Sequence, residues 1–138
     1  MNIVVDTNIL ITFFWKENVF EKMIKKYKIN CYSPEFALEE INKYQSIIIK
    51  KANISKKEFE DKRLELAIYV NFVSLEEYQS HFKQAIKISP DKNDVDFFAL
   101  SLKIVSPVWS NDKELKNQTK IPVFSTGEIL ENPHILFN

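Results

Sequence analysis

The chain contains a single glycine, Gly127, in 138 residues. Glycine-rich loops that cradle phosphates need several glycines at fixed spacing, so that class of nucleotide site is excluded. Cysteine is equally scarce. Cys31 stands alone and cannot form an internal disulfide, which fits a reducing cytoplasm. His81 and His134 are far apart in sequence, and with one cysteine they make no zinc-type cluster. Each reads as an ordinary surface or half-buried histidine. Neither sign of charge is in excess: 19 basic and 19 acidic residues cancel, and Arg63 is the lone arginine. Tight binding of duplex DNA by net charge is therefore not expected, although local basic patches remain open. Long hydrophobic runs are missing too. Residues 3–15 are apolar but interrupted by Asp6 and Asn8, with no basic segment before and no small-residue cleavage site after. That run is too short to span a bilayer. The expectation is a soluble, cytoplasmic protein without a membrane partner.

What is present is the composition of one globular domain, expected to occupy residues 1–138. Its most informative stretch is Ile3-Val4-Val5-Asp6-Thr7-Asn8. Three β-branched residues in a row suit a short central strand buried on both faces. The strand stops at an acid, and Thr7 and Asn8 offer oxygens to open a helix from Ile9. In open α/β sheets, ligands bind beyond the carboxyl ends of the strands, which is where Asp6 would stand. A carboxylate delivered there by a buried strand is costly unless a cation or partner meets it.

Along the chain, residues 9–26 read as helix and 29–32 as a second strand. Ser33-Pro34 reads as a helix start, the helix running to about residue 50. Ser55-x-x-Glu58 and Ser74-x-x-Glu77 are capping boxes that open helices over 55–69 and 74–88, on either side of a strand at 70–73. A helix over 94–104, a strand at 108–110, a short helical turn, a strand at 123–125 and a frayed tail complete the reading. Strands alternating with helices predict an α/β fold, a mostly parallel sheet covered on both faces.

Other acids could converge on Asp6. Ala37, Ile41, Tyr44 and Ile48 form one apolar stripe, which places Glu40 about 75° and Glu39 about 175° from its centre. Only Glu40 can then reach a crevice beside the sheet; otherwise both are solvated helix formers. Asp94 and Asp96 lie in the first turn of a helix, where acids also favour the helix dipole. They are about 160° apart around the axis, so both should not bind one ion, and periodicity does not choose between them. Asp112 follows the strand Val108-Trp109-Ser110, and it could cap the next turn, serve a site, or both. Several carboxylates in one crevice repel each other unless a hard divalent cation is present, and all-oxygen ligation is the Mg²⁺ or Mn²⁺ pattern.

From residue 3 to about residue 130 the chain resembles the PIN-domain family of metal-dependent ribonucleases, which includes the toxin halves of many prokaryotic toxin–antitoxin pairs. The likeness rests on Asp6-Thr7-Asn8 after a hydrophobic strand and on Glu40-Ile41 in a helix. It continues in Asp94-x-x-Phe97-x-Ala99-Leu100 and in Trp109-Ser110-Asn111-Asp112. The resemblance implies a three-layer α/β/α fold with a five-stranded sheet in the order 3-2-1-4-5. It implies that Asp6, Glu40, Asp94 and Asp112 are the catalytic, metal-binding acids, with Asp96 as an alternative or shared third acid. Thr7, Asn8, Ser110 and Asn111 become supporting positions behind them.

The implied chemistry is hydrolysis of single-stranded RNA with one or two Mg²⁺ or Mn²⁺ ions, leaving a 5′-phosphate. An antitoxin protein and a second copy of the chain are the implied protein partners. An acidic pocket repels RNA, so affinity falls to its rim. Lys22, Lys25, Lys26 and Lys28, or Lys50, Lys51, Lys56 and Lys57, could supply it, unless those runs are simply solvated helix faces. Two rivals stand beside this reading. A phosphohydrolase of the haloacid-dehalogenase type wants a second Asp where the chain has Asn8. A PIN-like scaffold that only binds RNA or protein would tend to lose acids that are present here.

Overall fold

A computed structural model describes residues 1–137. Five strands form one sheet: β1 (Asn2–Val5), β2 (Asn30–Pro34), β3 (Val70–Val73), β4 (Val108–Trp109) and β5 (Val123–Phe124). The order is β3-β2-β1-β4-β5, every pairing is parallel, and helices flank the sheet on both sides. Ile3, Val4 and Val5 have no solvent exposure, as the β-branched run requires of a central strand.

The helices are α1 (Thr7–Ile11), α2 (Val19–Tyr27), α3 (Phe36–Lys43), α4 (Gln45–Ala52) and α5 (Lys56–Tyr69). They continue with α6 (Leu75–Tyr78), α7 (Phe82–Ile88), α8 (Val95–Ile104) and α9 (Thr126–Glu131). The apolar helix α8 packs across β1, β2 and β4, with α6 and α7 beside it. Phe13, Phe14, Phe20, Phe59, Tyr69 and Trp109 form a chain of ring contacts that ties α2 and α5 to β4. No helix among the described residues is long and apolar enough to cross a membrane.

Several local expectations need correction. The helix expected over 9–26 is two helices, because Asn18 caps a fresh start: its side chain accepts from Glu21 N at 2.9 Å. Asp6 itself, not Thr7 or Asn8, caps α1 by accepting from Ile9 N. Ser33-Pro34 is the end of β2 rather than a helix start. The Ser33 hydroxyl is fully buried and donates to Val5 O at 2.9 Å, so it fastens two strands together. The long helix beyond it breaks at Tyr44 into α3 and α4. The box at Ser55 and Glu58 is formed, whereas Ser74 makes no side-chain cap and the helix behind it is interrupted at residues 79–81. The expected frayed tail is ordered through residue 137: Ser125 and Glu128 form a capping box for α9, and Leu136 is buried.

With so little glycine, three helix ends use other residues in the left-handed region: Lys28 (φ 52°), Asn53 (φ 54°) and Val105 (φ 50°). Asparagine tolerates that conformation, but a β-branched valine does not do so without strain.

Candidate active site

The carboxyl ends of β1 and β4 open onto a small cleft of about 90 Å³. Asp6, at the end of β1, is 8% exposed. Its Oδ1 accepts from Ile9 N at 3.0 Å and its Oδ2 accepts from the buried Ser110 hydroxyl. Ser110 Oγ in turn accepts from Asp112 N at 3.0 Å, so one serine couples the ends of β1 and β4. Asp112 caps the turn Lys113–Lys116 by accepting from Glu114 N, and it also lines the cleft. The cap and a place at the cleft wall are thus compatible in one residue.

Glu40 reaches the same cleft from α3, half-buried, while Glu39 is exposed, as their phases around the helix require. The Thr7 hydroxyl donates to Glu40 Oε1 at 2.6 Å. Asp94 enters just before α8, beside Asn93. Asp96 takes a different direction: its Oδ2 accepts from the buried Tyr78 hydroxyl at 2.6 Å, which ties α8 to α6. Asp94 rather than Asp96 lines the cleft. Asn8 lies at its wall, but Asn111 does not; Asn111 Oδ1 accepts from Thr126 N and holds the start of α9.

The crowding of acids is electrostatically visible. Burial pushes Asp94 up to about 6, and Asp91, Asp112, Asp6 and Glu40 add repulsion. Burial also raises Asp6, against the hydrogen bonds from Ser110 and Ile9 that favour its charge, and Asp112 raises it further. Glu40 is raised by burial and by Asp96, and lowered by Thr7 and Lys43. Cys31 is buried and its thiol is pushed up to about 12, so it is no nucleophile.

As a donor set, four carboxylates with nearby amide and hydroxyl oxygens suit a hard divalent cation. Among the described residues, however, no three His, Cys, Asp or Glu side chains stand close enough to hold one ion directly. Such a donor set would suit only an ion that keeps several waters and takes one or two carboxylates directly, the habit of Mg²⁺.

Asn93, Tyr44 and Ile11 line the cleft without a sequence signal that assigns them to it. Asn93 sits beside Asp94 at the helix start, a place where its neighbour's role could have drawn notice. The apolar stripe places Tyr44 in the core, yet it is 41% exposed at the cleft's rim. No sequence signal marks the break that puts it there. The lysine runs proposed for RNA are partly engaged elsewhere: Lys25 pairs with Glu21 and Lys57 with Asp61, both on exposed helix faces.

Among curated proteins, nothing matches the chain. In fold it is similar to VapBC2 from Rickettsia felis, in a crystal structure bound to a DNA fragment from their promoter, with a TM-score of 0.64. That likeness covers 91% of this chain and 98% of the other at 12% identity, which speaks for the fold alone. A family model described as PIN domain matches residues 4–126. The chain therefore belongs to the PIN domain family, whose members are in general nucleases.

Proposed function

We propose that the protein is a Mg²⁺- or Mn²⁺-dependent endoribonuclease that hydrolyses phosphodiester bonds of single-stranded RNA, with the whole chain acting as one domain. The observation that carries this reading is the meeting of Asp6, Glu40, Asp94 and Asp112 in one cleft at the carboxyl end of the sheet. They come from distant parts of the chain, and helix capping alone gives Glu40 and Asp94 no reason to face each other. When bound, the metal supplies an activated water and offsets charge on the phosphorane and the leaving 3′ oxygen. Asp6 and Asp94 are assigned as direct ligands, and Glu40 and Asp112 as ligands directly or through water. Thr7 holds Glu40 in place, and Ser110 holds Asp6 against the Asp112 turn.

The protein is further read as the cytoplasmic toxin of a toxin–antitoxin pair. The fold likeness to VapBC2 supports an antitoxin partner. Leu64 and Ile68, one turn apart on α5 and 72% and 79% exposed, offer an apolar surface for that partner or for a second copy.

The test is a labelled, unstructured RNA incubated with the parent protein and with Asp6→Asn, in Mg²⁺ and in EDTA. Cleavage by the parent in Mg²⁺ alone is expected. Equal cleavage in EDTA, or full activity in Asp6→Asn, overturns the reading. A catalytically weak scaffold is the second reading, favoured by the spacing that lets no three acids hold one ion as they stand. Calorimetric titration separates the two. Saturable Mn²⁺ binding that Asp94→Asn abolishes supports the enzyme, and its absence at millimolar Mn²⁺ supports the scaffold.

A further inference from the structure

Beside the acidic cleft lies a second hollow of about 340 Å³, lined by Phe36, Glu39, Glu40, Lys43, Tyr44 and Asn93. Its volume lies in the range of small-molecule sites. Glu40, Tyr44 and Asn93 line both spaces, so the hollow adjoins the cleft across shared side chains. Its most unusual member is Tyr44. The apolar stripe of the sequence would bury this ring together with Ala37, Ile41 and Ile48, which are indeed buried. Instead the chain leaves helical geometry at Tyr44 (φ −96°, ψ 14°), ends α3 and restarts α4, and leaves the ring 41% exposed. Lys43 Nζ stands 5.6 Å from the centre of that ring, and its charge is felt at Glu40.

The geometry points to a nucleotide subsite beside the scissile phosphate, in which Tyr44 stacks a base of the RNA and Lys43 meets a neighbouring phosphate. This rests on the ribonuclease reading and adds to it where the substrate is gripped. Four acids repel the polyanion at the point of chemistry, so binding has to be supplied next to them. An exposed aromatic ring does this without regard to charge, because every base presents a flat face. The lysine alone cannot carry it: Glu39 shares the hollow and is exposed, so the local charge is not strongly positive. Stacking is therefore the larger contribution; it accepts any base, and its strength grows with the area of the base's face. Larger purine faces should be held better than pyrimidines.

The test is fluorescence-anisotropy binding of labelled oligoadenylate and oligouridylate, with EDTA present so that chemistry does not intervene. For the parent, oligoadenylate should bind more tightly. Tyr44→Ala should weaken oligoadenylate binding by about 5- to 100-fold and abolish the preference over oligouridylate, while Tyr44→Phe keeps both. Lys43→Ala should instead flatten the dependence of log K on log salt by about 0.7, the loss of one phosphate contact, and keep the purine preference. Thermal midpoints of all three variants should stay near the parent's, since both side chains are exposed. If the parent binds and Tyr44→Ala binds equally well with the same preference, the subsite is overturned while the ribonuclease reading stands. If the parent neither binds nor cleaves either RNA, both are overturned.

Discussion

The Thr7 hydroxyl donates to Glu40 Oε1 at 2.6 Å, joining the first turn of α1 to α3 across 33 residues of sequence. The bond fixes the direction of a half-buried carboxylate whose charge burial disfavours. Thr7→Val keeps the shape and removes the donor. Cleavage should fall about ten- to a hundredfold, the usual effect of losing a group that orients a ligand, with RNA affinity in EDTA unchanged. Thr7→Ser should restore most of the rate. A Thr7→Val enzyme as active as the parent would show that Glu40 needs no such support.

Glu39 and Glu40 are adjacent in sequence and differ by their places on α3. Glu40→Gln should lose about tenfold or more of the cleavage rate. Glu39→Gln, on the exposed side, should stay within about twofold. Rates at saturating RNA decide this, alongside thermal midpoints that exclude unfolding. The reverse pattern would mean that Glu39, not Glu40, serves the cleft.

Val105 ends α8 at φ 50° and is 89% exposed. A β-branched residue there is strained and packs little in return, so Val105→Gly should stabilise the fold by about 1 kcal/mol. Denaturant midpoints measure it. Destabilisation would show that the valine makes contacts that outweigh its backbone strain.

The raised Asp94 gives a pH signature in metal-free buffer. Its carboxyl titrates near 3.8 in the unfolded chain and at about 6 in the native one. Between those values the native state holds a proton that the unfolded state has released, so stability falls as pH rises through the window. Below about 4 the penalty is absent, and above about 6 it is complete. Allowing for solvent screening at this half-buried site, the loss should be about 1–2 kcal/mol. The difference between the parent and Asp94→Asn, followed from pH 4 to 7, isolates it from the other acids. A difference that does not vary with pH would mean that neither burial nor the neighbouring acids raise the Asp94 carboxyl in the native state.

How far the sequence led can be judged from particular residues. The β-branched run of β1 and the Ser55–Glu58 box were legible because both are local: the signal and its partner lie within a few residues. The same Ser-x-x-Glu pattern opens α9 at Ser125 and is equally local. Ser33 reads locally as a helix cap, but its partner, Val5 O, lies on another strand, and only the folded sheet brings a carbonyl to that hydroxyl. The place of Tyr44 is hidden because a stripe assumes one unbroken helix, and nothing near Tyr44 announces the break. Asp94 and Asp96 were inseparable by periodicity, since what separates them is Tyr78, 18 residues from Asp96.

On the proposed function, a divalent cation completes this acidic cleft. The most direct measurement is the denaturant midpoint of the parent and of Asp94→Asn, each in low-salt EDTA and in millimolar Mg²⁺. In EDTA the parent bears the mutual repulsion of its acids, which asparagine removes while keeping the side chain's shape, so Asp94→Asn should be the more stable protein. In Mg²⁺ the order should reverse, because only the intact site gains binding energy in the folded state. An Asp94→Asn protein less stable than the parent in EDTA, and indifferent to Mg²⁺, would mean that Asp94 is a satisfied structural group and that the cleft is no metal site.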